Sequence, residues 1–326
     1  MLEFLSNESW LNPQIDYLIY LQNIRMHLSP IFDEVFMWVT RFGEMFIPML
    51  VMCMIYWCFD FRAGVYLFSL NSFGLLISQF LKMVACVYRP WVLSDKIHPV
   101  RSAFGNAGGY SFPSGHTSMA VTSWGGMAFL CAKRHKILCI LLVLAILFVG
   151  FSRNYLGVHT PQDIIGGLLI GAVLMFVINS LINWCEENRD RYLYLLVFVN
   201  ILIVLFMVYV FTKNYPQDYL NGKLLVNPAR GIYNTIVYSG WIAGAMNGIC
   251  ICARFFPFDP KAASDKCRVV RAIAGVVLAL ILLPVIQIFF ADMYNYSYTF
   301  FALFLTGFIL TAGYPFVFIK LEKFIK

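Results

Sequence analysis

Nine apolar runs, each about as long as a bilayer core is thick, dominate this chain. They fall at roughly 44–60, 64–86, 115–132, 137–151, 162–183, 193–212, 232–253, 272–290 and 298–319. A helix needs about 20 apolar residues to cross the hydrocarbon layer. The fold class this implies is all-α, a polytopic helical membrane protein. Composition agrees: of 326 residues, 60% are hydrophobic and 13% charged, where a soluble domain carries about 25% charge. Aromatics at 17% suit interfacial belts of Tyr and Trp.

The remaining segments orient the runs. Residues 13–28 follow Asn12, a good N-cap, with Pro13 at the first helical position. Ile15, Leu18, Leu21 and Ile24 recur at helical spacing. This predicts a helix too polar to span, either lying in the interface or packed on the bundle. The opening MLEFLSNESW is acidic and lacks the basic n-region of a cleavable signal peptide. One set of loops holds 14 basic residues, from Arg62 through Lys133, Arg134 and Lys136 to Lys320, Lys323 and Lys326. The opposite set holds nine, including Arg89 and Arg153. The positive-inside rule makes the first set cytoplasmic. The N-terminus and loops 87–114 and 152–162 then face outward, and the C-terminus faces the cytoplasm. Topology thereby accounts for the net charge of +7 without a nucleic-acid partner. Nine scattered cysteines form no CxxC pair or His–Cys cluster, so neither a disulfide framework nor a zinc site is expected. Gly167 and Gly171 form one GxxxG pattern, and Gly240, Gly244 and Gly248 a double one, which predicts close helix packing within the chain.

Three polar clusters share the outward face: Lys82 with Arg89-Pro90; Pro113-Ser114-Gly115-His116; and Ser152-Arg153 with His159 and Asp163. Singly, each has a bland reading. Lys82 can snorkel to the interface, Arg89 can pair with lipid headgroups, Ser114 can cap a helix, and Thr160 with Asp163 can form a capping-box variant. Together they make a site for phosphate without metal. Lys82, Arg89 and Arg153 supply three cations, two of them guanidinium forks. Ser114 and Gly115 open a helix whose free amides and dipole hold an anion. Two histidines flank it. Asp163, four residues after His159, can fix that imidazole's tautomer and free the other nitrogen to attack. His159 is thus the candidate nucleophile, and His116 the candidate acid for the leaving oxygen. His27, His98 and His135 lack such neighbours and read as surface or loop residues.

These residues resemble the three-part signature of the type 2 phosphatidic acid phosphatase superfamily, K-x6-R-P, P-S-G-H and S-R-x5-H-x3-D. Lys82 to Pro90, Pro113 to His116 and Ser152 to Asp163 match it at every position. The resemblance implies a phosphohistidine on His159, protonation by His116, orientation by Asp163, and phosphate binding by Lys82, Arg89, Ser114, Gly115 and Arg153, with no cofactor. It covers about residues 41–212, a six-helix phosphatase core. Residues 1–40 are then an N-terminal interfacial amphipathic segment, and 213–326 hold about three additional transmembrane helices. The third motif looks more like the sphingosine-1-phosphate phosphatase branch than the glucose-6-phosphatase branch.

A site at a membrane surface suits a substrate whose tail stays in lipid. The leading expectation is hydrolysis of a lipid phosphate monoester of the sphingoid base phosphate or phosphatidic acid type. The alternatives are an isoprenoid diphosphatase, a lipid phosphotransferase, or a non-catalytic phosphate-binding transporter or scaffold. The pair of histidines argues against the last, because binding alone requires neither.

Overall fold

The structure, a computed structural model, describes residues 5, 7–105, 107–220, 222–256, 258–291 and 295–325, and for 220, 223, 262, 283–291 and 322–325 the backbone alone. Residues 1–4 and 6 of the acidic opening, and Lys326 of the basic set, lie outside the described residues.

In chain order the helices are α1 (Glu8–His27), α2 (Ile31–Arg41), α3 (Phe46–Met54, continued by a π-turn over Ile55–Phe59) and α4 (Phe61–Ala85). Two single-turn helices follow, α5 (Pro90–Leu93) and α6 (Arg101–Phe104). One helical run then joins α7 (Gly115–Ala120), a π-turn over Val121–Gly125 and α8 (Gly126–Cys131). Next come α9 (Lys136–Tyr155), α10 (Pro161–Glu187), α11 (Arg191–Thr212), α12 (Pro228–Phe255) and α13 (Asp265–Ala291). Last are α14 (Tyr296–Phe308) and, after a π-turn over Ile309–Gly313, α15 (Tyr314–Ile325). A short antiparallel pair, β1 (Tyr219–Leu220) and β2 (Lys223–Leu224), is the described exception to helix.

The chain is an all-α, multi-pass integral membrane protein. Among the described residues, seven helical runs have the length and apolarity to span. Two of the nine expected spans stand apart from these. The run at 115–131 is short because it starts at the polar turn around Ser114, and α13 is described by backbone alone beyond residue 282. The exposed side chains say what surrounds the helices. On α9, Ile137, Ile140, Leu141, Leu144, Leu147 and Phe148 are exposed, while Ile146, Val149, Gly150 and Arg153 are buried. An apolar stripe of that size marks a membrane-facing or partner-covered surface, and in a multi-pass membrane protein it suits contact with hydrocarbon.

Two expected boundaries move. The first helix begins at Glu8, not Pro13. Asn7 is the N-cap, its Oδ1 accepting the Ser9 amide at 2.9 Å, and Glu8 sits in the first turn where the helix dipole favours an acid. The first spanning run begins at Ile31, not residue 44, and turns over residues 42–45.

Residues cluster in two compact units. The first comprises residues 1–45, 77–175 and 212–232. Here α1 is tied to the loop at 94–98 and to the end of α9: Gln22 Nε2 donates to Lys96 O (3.0 Å), and Arg25 donates to His98 O (2.6 Å) and Tyr155 O (3.1 Å). Phe36 of α2 packs on Tyr155 of α9, ring centroids 4.2 Å apart. Gly167 and Gly171 of α10 meet the 115–131 run, leaving no room for a side chain beside Ser114 O and Val121.

The second unit comprises residues 46–76, 176–211 and 233–326. The double GxxxG is used within the chain. A methyl on Gly240 would lie 2.5 Å from Phe300 O, and one on Gly244 or Gly248 would come closer still to Phe304 or Thr311. The wide turn at 309–313 loosens the carbonyl ladder. Tyr56 and Trp57 donate into it, to Thr311 O at 2.7 Å and Leu310 O at 2.9 Å.

Candidate active site

The third motif owes its shape to how α9 ends. Gly157 takes φ +73°, the left-handed region that favours glycine. The Val158 amide reaches back to Arg153 O (3.1 Å) and the Gly157 amide to Asn154 O (3.0 Å), the paired bonds of a Schellman cap. The chain reverses and resumes at once in α10, with Thr160 before Pro161 at its first position. His159 is therefore held in a five-residue turn between two long helices, and Asn154 Nδ2 fixes its carbonyl at 2.8 Å.

His159 is 2% exposed and Asp163 fully buried. Nδ1 of the ring lies 3.1 Å from Asp163 Oδ2. The same oxygen accepts Ser111 Oγ–H at 2.5 Å and the Thr160 amide at 2.9 Å. An acceptor-only carboxylate places the imidazole proton on Nδ1 and leaves the lone pair on Nε2. Nε2 faces Arg89 Nη1, 2.9 Å away. Asp163 thus caps α10 and orients His159 with one oxygen, so the capping and catalytic readings of Thr160 and Asp163 are compatible.

The cations converge on this ring. Arg89 also donates from Nη1 to Val158 O (2.8 Å) and from Nε to Gly109 O (3.1 Å). Lys82 donates to Pro113 O (2.6 Å) and Ser111 O (3.1 Å), which pins the loop leading into α7. Arg153 is 2% exposed, donates to Thr40 Oγ1 at 2.8 Å, and keeps Nε without an acceptor among the described residues. No carboxylate there forms an ion pair within 4.0 Å with Lys82, Arg89 or Arg153. Buried cations without a paired anion cost several kcal/mol each, and a phosphate dianion is the counterion this cluster suits. Burial and then the charges of Arg89, Lys82, Arg153 and His116 hold His159 well below its ordinary value, so the ring is neutral at neutral pH.

Ser114 caps α7, its Oγ accepting the Thr117 amide, and its own amide donates to Asp163 O at 2.9 Å. The next two amides, of Gly115 and His116, have no acceptor within a helix that starts there. A methyl on Gly115 would meet nothing within 4 Å, so the helix tip opens onto free space. His116 Nε2 lies 4.0 Å from Glu44 Oε1.

All eight residues named from sequence thus fall in one cluster of the first unit. Glu44, Thr40 and Ser111 join them, and the sequence motifs do not contain these three. Glu44 carries a sequence signal: it is a lone carboxylate at the start of the first apolar run.

Residues 62–187 match the PAP2 superfamily, and residues 236–324 match the PAP2 superfamily phosphatase transmembrane extension. The chain belongs to the PAP2 superfamily of phosphatases and is a membrane enzyme. It is 27% identical over 176 residues to phosphatidylglycerophosphatase B of Bacillus subtilis, covering 50% of this chain and 81% of that one. It is 26% identical over 155 residues to undecaprenyl-diphosphatase BcrC of the same organism, covering 46% and 75%. It is 30% identical over 183 residues to a lipid A 4'-phosphatase of Bacteroides thetaiotaomicron, covering 52% and 75%.

Proposed function

We propose that this protein removes the terminal phosphate of a membrane lipid through a phosphohistidine on His159. One observation carries the reading: His159 turns Nε2 to the Arg89 guanidinium, 2.9 Å away, while Asp163 Oδ2 lies 3.1 Å from Nδ1. Nε2 attacks phosphorus, the P–O bond to the lipid breaks, and His116 gives its proton to the leaving oxygen. Water then attacks the phosphoenzyme, His116 takes the water's proton, and the P–N bond breaks to restore the lone pair. Lys82, Arg89 and Arg153, with the amides of Gly115 and His116, hold the phosphoryl oxygens as charge spreads onto them.

Glu44 has a part in this cycle. His116 must carry a proton beside three cations that oppose it, and Glu44 is the carboxylate that faces its Nε2. A lipid substrate is supported by the membrane setting and by the named activities of the three relatives. The larger share of loop Lys and Arg on the opposite side of the membrane supports an outward-facing site.

Purified protein in detergent, offered phosphatidic acid, should release phosphate and form an acid-labile 32P adduct from labelled lipid. His159→Ala should abolish both. Unchanged phosphate release in His159→Ala would remove the catalytic assignment.

A further inference from the structure

We propose that Gln14 and Trp10 of α1 are positioning residues for the catalytic turn: acting through Gln162, they set where Asp163 and His159 stand. This rests on the assignment of His159 as the nucleophile.

The first turn of α10 needs a partner from outside the helix. Pro161 carries no N–H, and the Gln162 amide has no acceptor within a helix that starts beside it. Gln14 Oε1 accepts that amide at 2.8 Å, and Gln14 Nε2 is itself anchored on Trp10 O at 3.0 Å. The Gln162 side chain is buried, so its polar atoms must find partners inside the protein. Both partners come from the same stretch of chain. Oε1 accepts the Trp10 indole N–H at 2.7 Å, and Nε2 donates to Leu5 O at 3.2 Å. The residue directly before Asp163 is thus held at its backbone and at both ends of its side-chain amide by residues 5–14.

The same segment touches the approach to the other two motifs. Leu5 packs with Ala85 and Val87, which lie between Lys82 and Arg89, and with Phe112, just before Pro113. Further along α1, Gln22 pairs with the loop at 94–98 in both directions: Oε1 accepts the His98 amide at 2.7 Å and Nε2 donates to Lys96 O. Arg25 donates to Tyr155 O at the end of α9. The segment therefore braces the 155–162 turn at both ends, with His159 between them. Leu5, Trp10, Gln14, Gln22 and Arg25 precede the matched residues 62–187, so the shared motifs do not include them.

The brace bears on rate because the chemistry is sensitive to placement. Without Gln14 the Gln162 amide becomes a buried donor with no partner, and the first turn of α10 shifts to relieve it, carrying Asp163 along. A misplacement near 1 Å can cost about 100-fold in rate.

Steady-state phosphate release from phosphatidic acid by the purified full chain tests this, with a thermal melt to check folding. Gln14→Ala should lower kcat about 10- to 100-fold and leave KM within about threefold. Gln14→Glu, which keeps the acceptor, should recover most of kcat. Trp10→Phe keeps a ring and loses the indole N–H; it should lower kcat about tenfold, and it decides the question if Gln14→Ala does not fold. Combined with Asp163→Asn, Gln14→Ala should cost no more than about threefold further, because residues that act as a unit are not additive. If both single variants keep the parent kcat, or if Gln14→Ala costs its full factor again beside Asp163→Asn, the positioning role is overturned. Loss of turnover in His159→Ala alongside either result leaves the phosphatase reading standing. Turnover surviving in His159→Ala overturns both.

Discussion

Asp163 Oδ2 sits 3.1 Å from His159 Nδ1 and is also held by Ser111 Oγ and the Thr160 amide. Those extra donors fix the carboxylate before the imidazole meets it. Asp163→Asn keeps the shape but can present an N–H where Nδ1–H must donate, which favours the wrong tautomer. We expect kcat on phosphatidic acid to fall by about a thousandfold or more, with KM little changed. Steady-state phosphate release, with a thermal melt to check folding, measures it. A tenfold loss or less would show that Asp163 acts mainly as a cap for α10.

His116 and Glu44 make a second pair, and leaving-group chemistry reads it. An alkyl leaving group needs a proton as its bond breaks, whereas an aryl group such as p-nitrophenolate does not. Glu44→Gln removes the carboxylate that favours the charged imidazole. Turnover of phosphatidic acid should fall about 10- to 100-fold, and turnover of p-nitrophenyl phosphate by no more than about threefold. His116→Ala should show the same contrast more strongly. Equal losses on both substrates would mean that Glu44 shapes the pocket and does not tune the acid.

These two pairs also mark what was legible in the sequence. His159 and Asp163 are four residues apart, and local geometry alone suggests their contact. Arg89 and Arg153 attract notice because hydrocarbon tolerates few charges. Glu44, Thr40 and Ser111 reach the site through tertiary packing, which no spacing encodes. The spanning helices were readable because apolar length is a physical requirement of the bilayer. The start of α1 was not, since Asn7 and Asn12 are equally good caps and only the Ser9 contact and Glu8 choose between them. The start of the first spanning run at Ile31 is obscured by Asp33, Glu34, Arg41 and Glu44, which interrupt the apolar pattern before residue 45.

Stability should depend on pH through His159. Its unfolded value is near 6.5, and burial with the neighbouring cations lowers it in the fold. Below pH 6.5 the unfolded chain takes up a proton that the folded ring refuses, so stability is full above that pH and falls as pH drops. The melting temperature should decline from pH 7 to pH 5, and His159→Asn should make that decline shallower. Differential scanning fluorimetry in detergent measures both, and identical slopes would show that other groups control acid sensitivity.

Lys82, Arg89 and Arg153 surround the proposed phosphoryl position with positive charge. Vanadate can adopt the trigonal bipyramid of phosphoryl transfer, so micromolar vanadate should inhibit, as transition-state analogues bind far more tightly than substrates. Arg153→Lys should weaken that inhibition at least tenfold, because an ammonium cannot copy the fork. EDTA should leave the rate unchanged. Activity lost in EDTA and restored by Mg2+ would contradict the proposed use of side-chain cations.

Gly157 joins the fold to the chemistry, and two substitutions can separate its roles. Its φ of +73° penalises any side chain, and an added Cβ would also lie 3.2 Å from Pro99 Cα. Alanine meets both problems, at about 1–2 kcal/mol for the left-handed backbone alone. Asparagine tolerates that backbone but meets Pro99 equally. Because His159 follows two residues later, a small shift of the turn displaces Nε2, and misplacements near 1 Å can cost about 100-fold in rate. Gly157→Ala should therefore lose far more in kcat than its few-degree drop in melting temperature suggests. Gly157→Asn should recover most of the melting temperature and only part of the rate. If Gly157→Asn restores both in full, the left-handed turn matters and the contact with Pro99 does not. If Gly157→Ala turns over like the parent protein, the turn is not what aims His159.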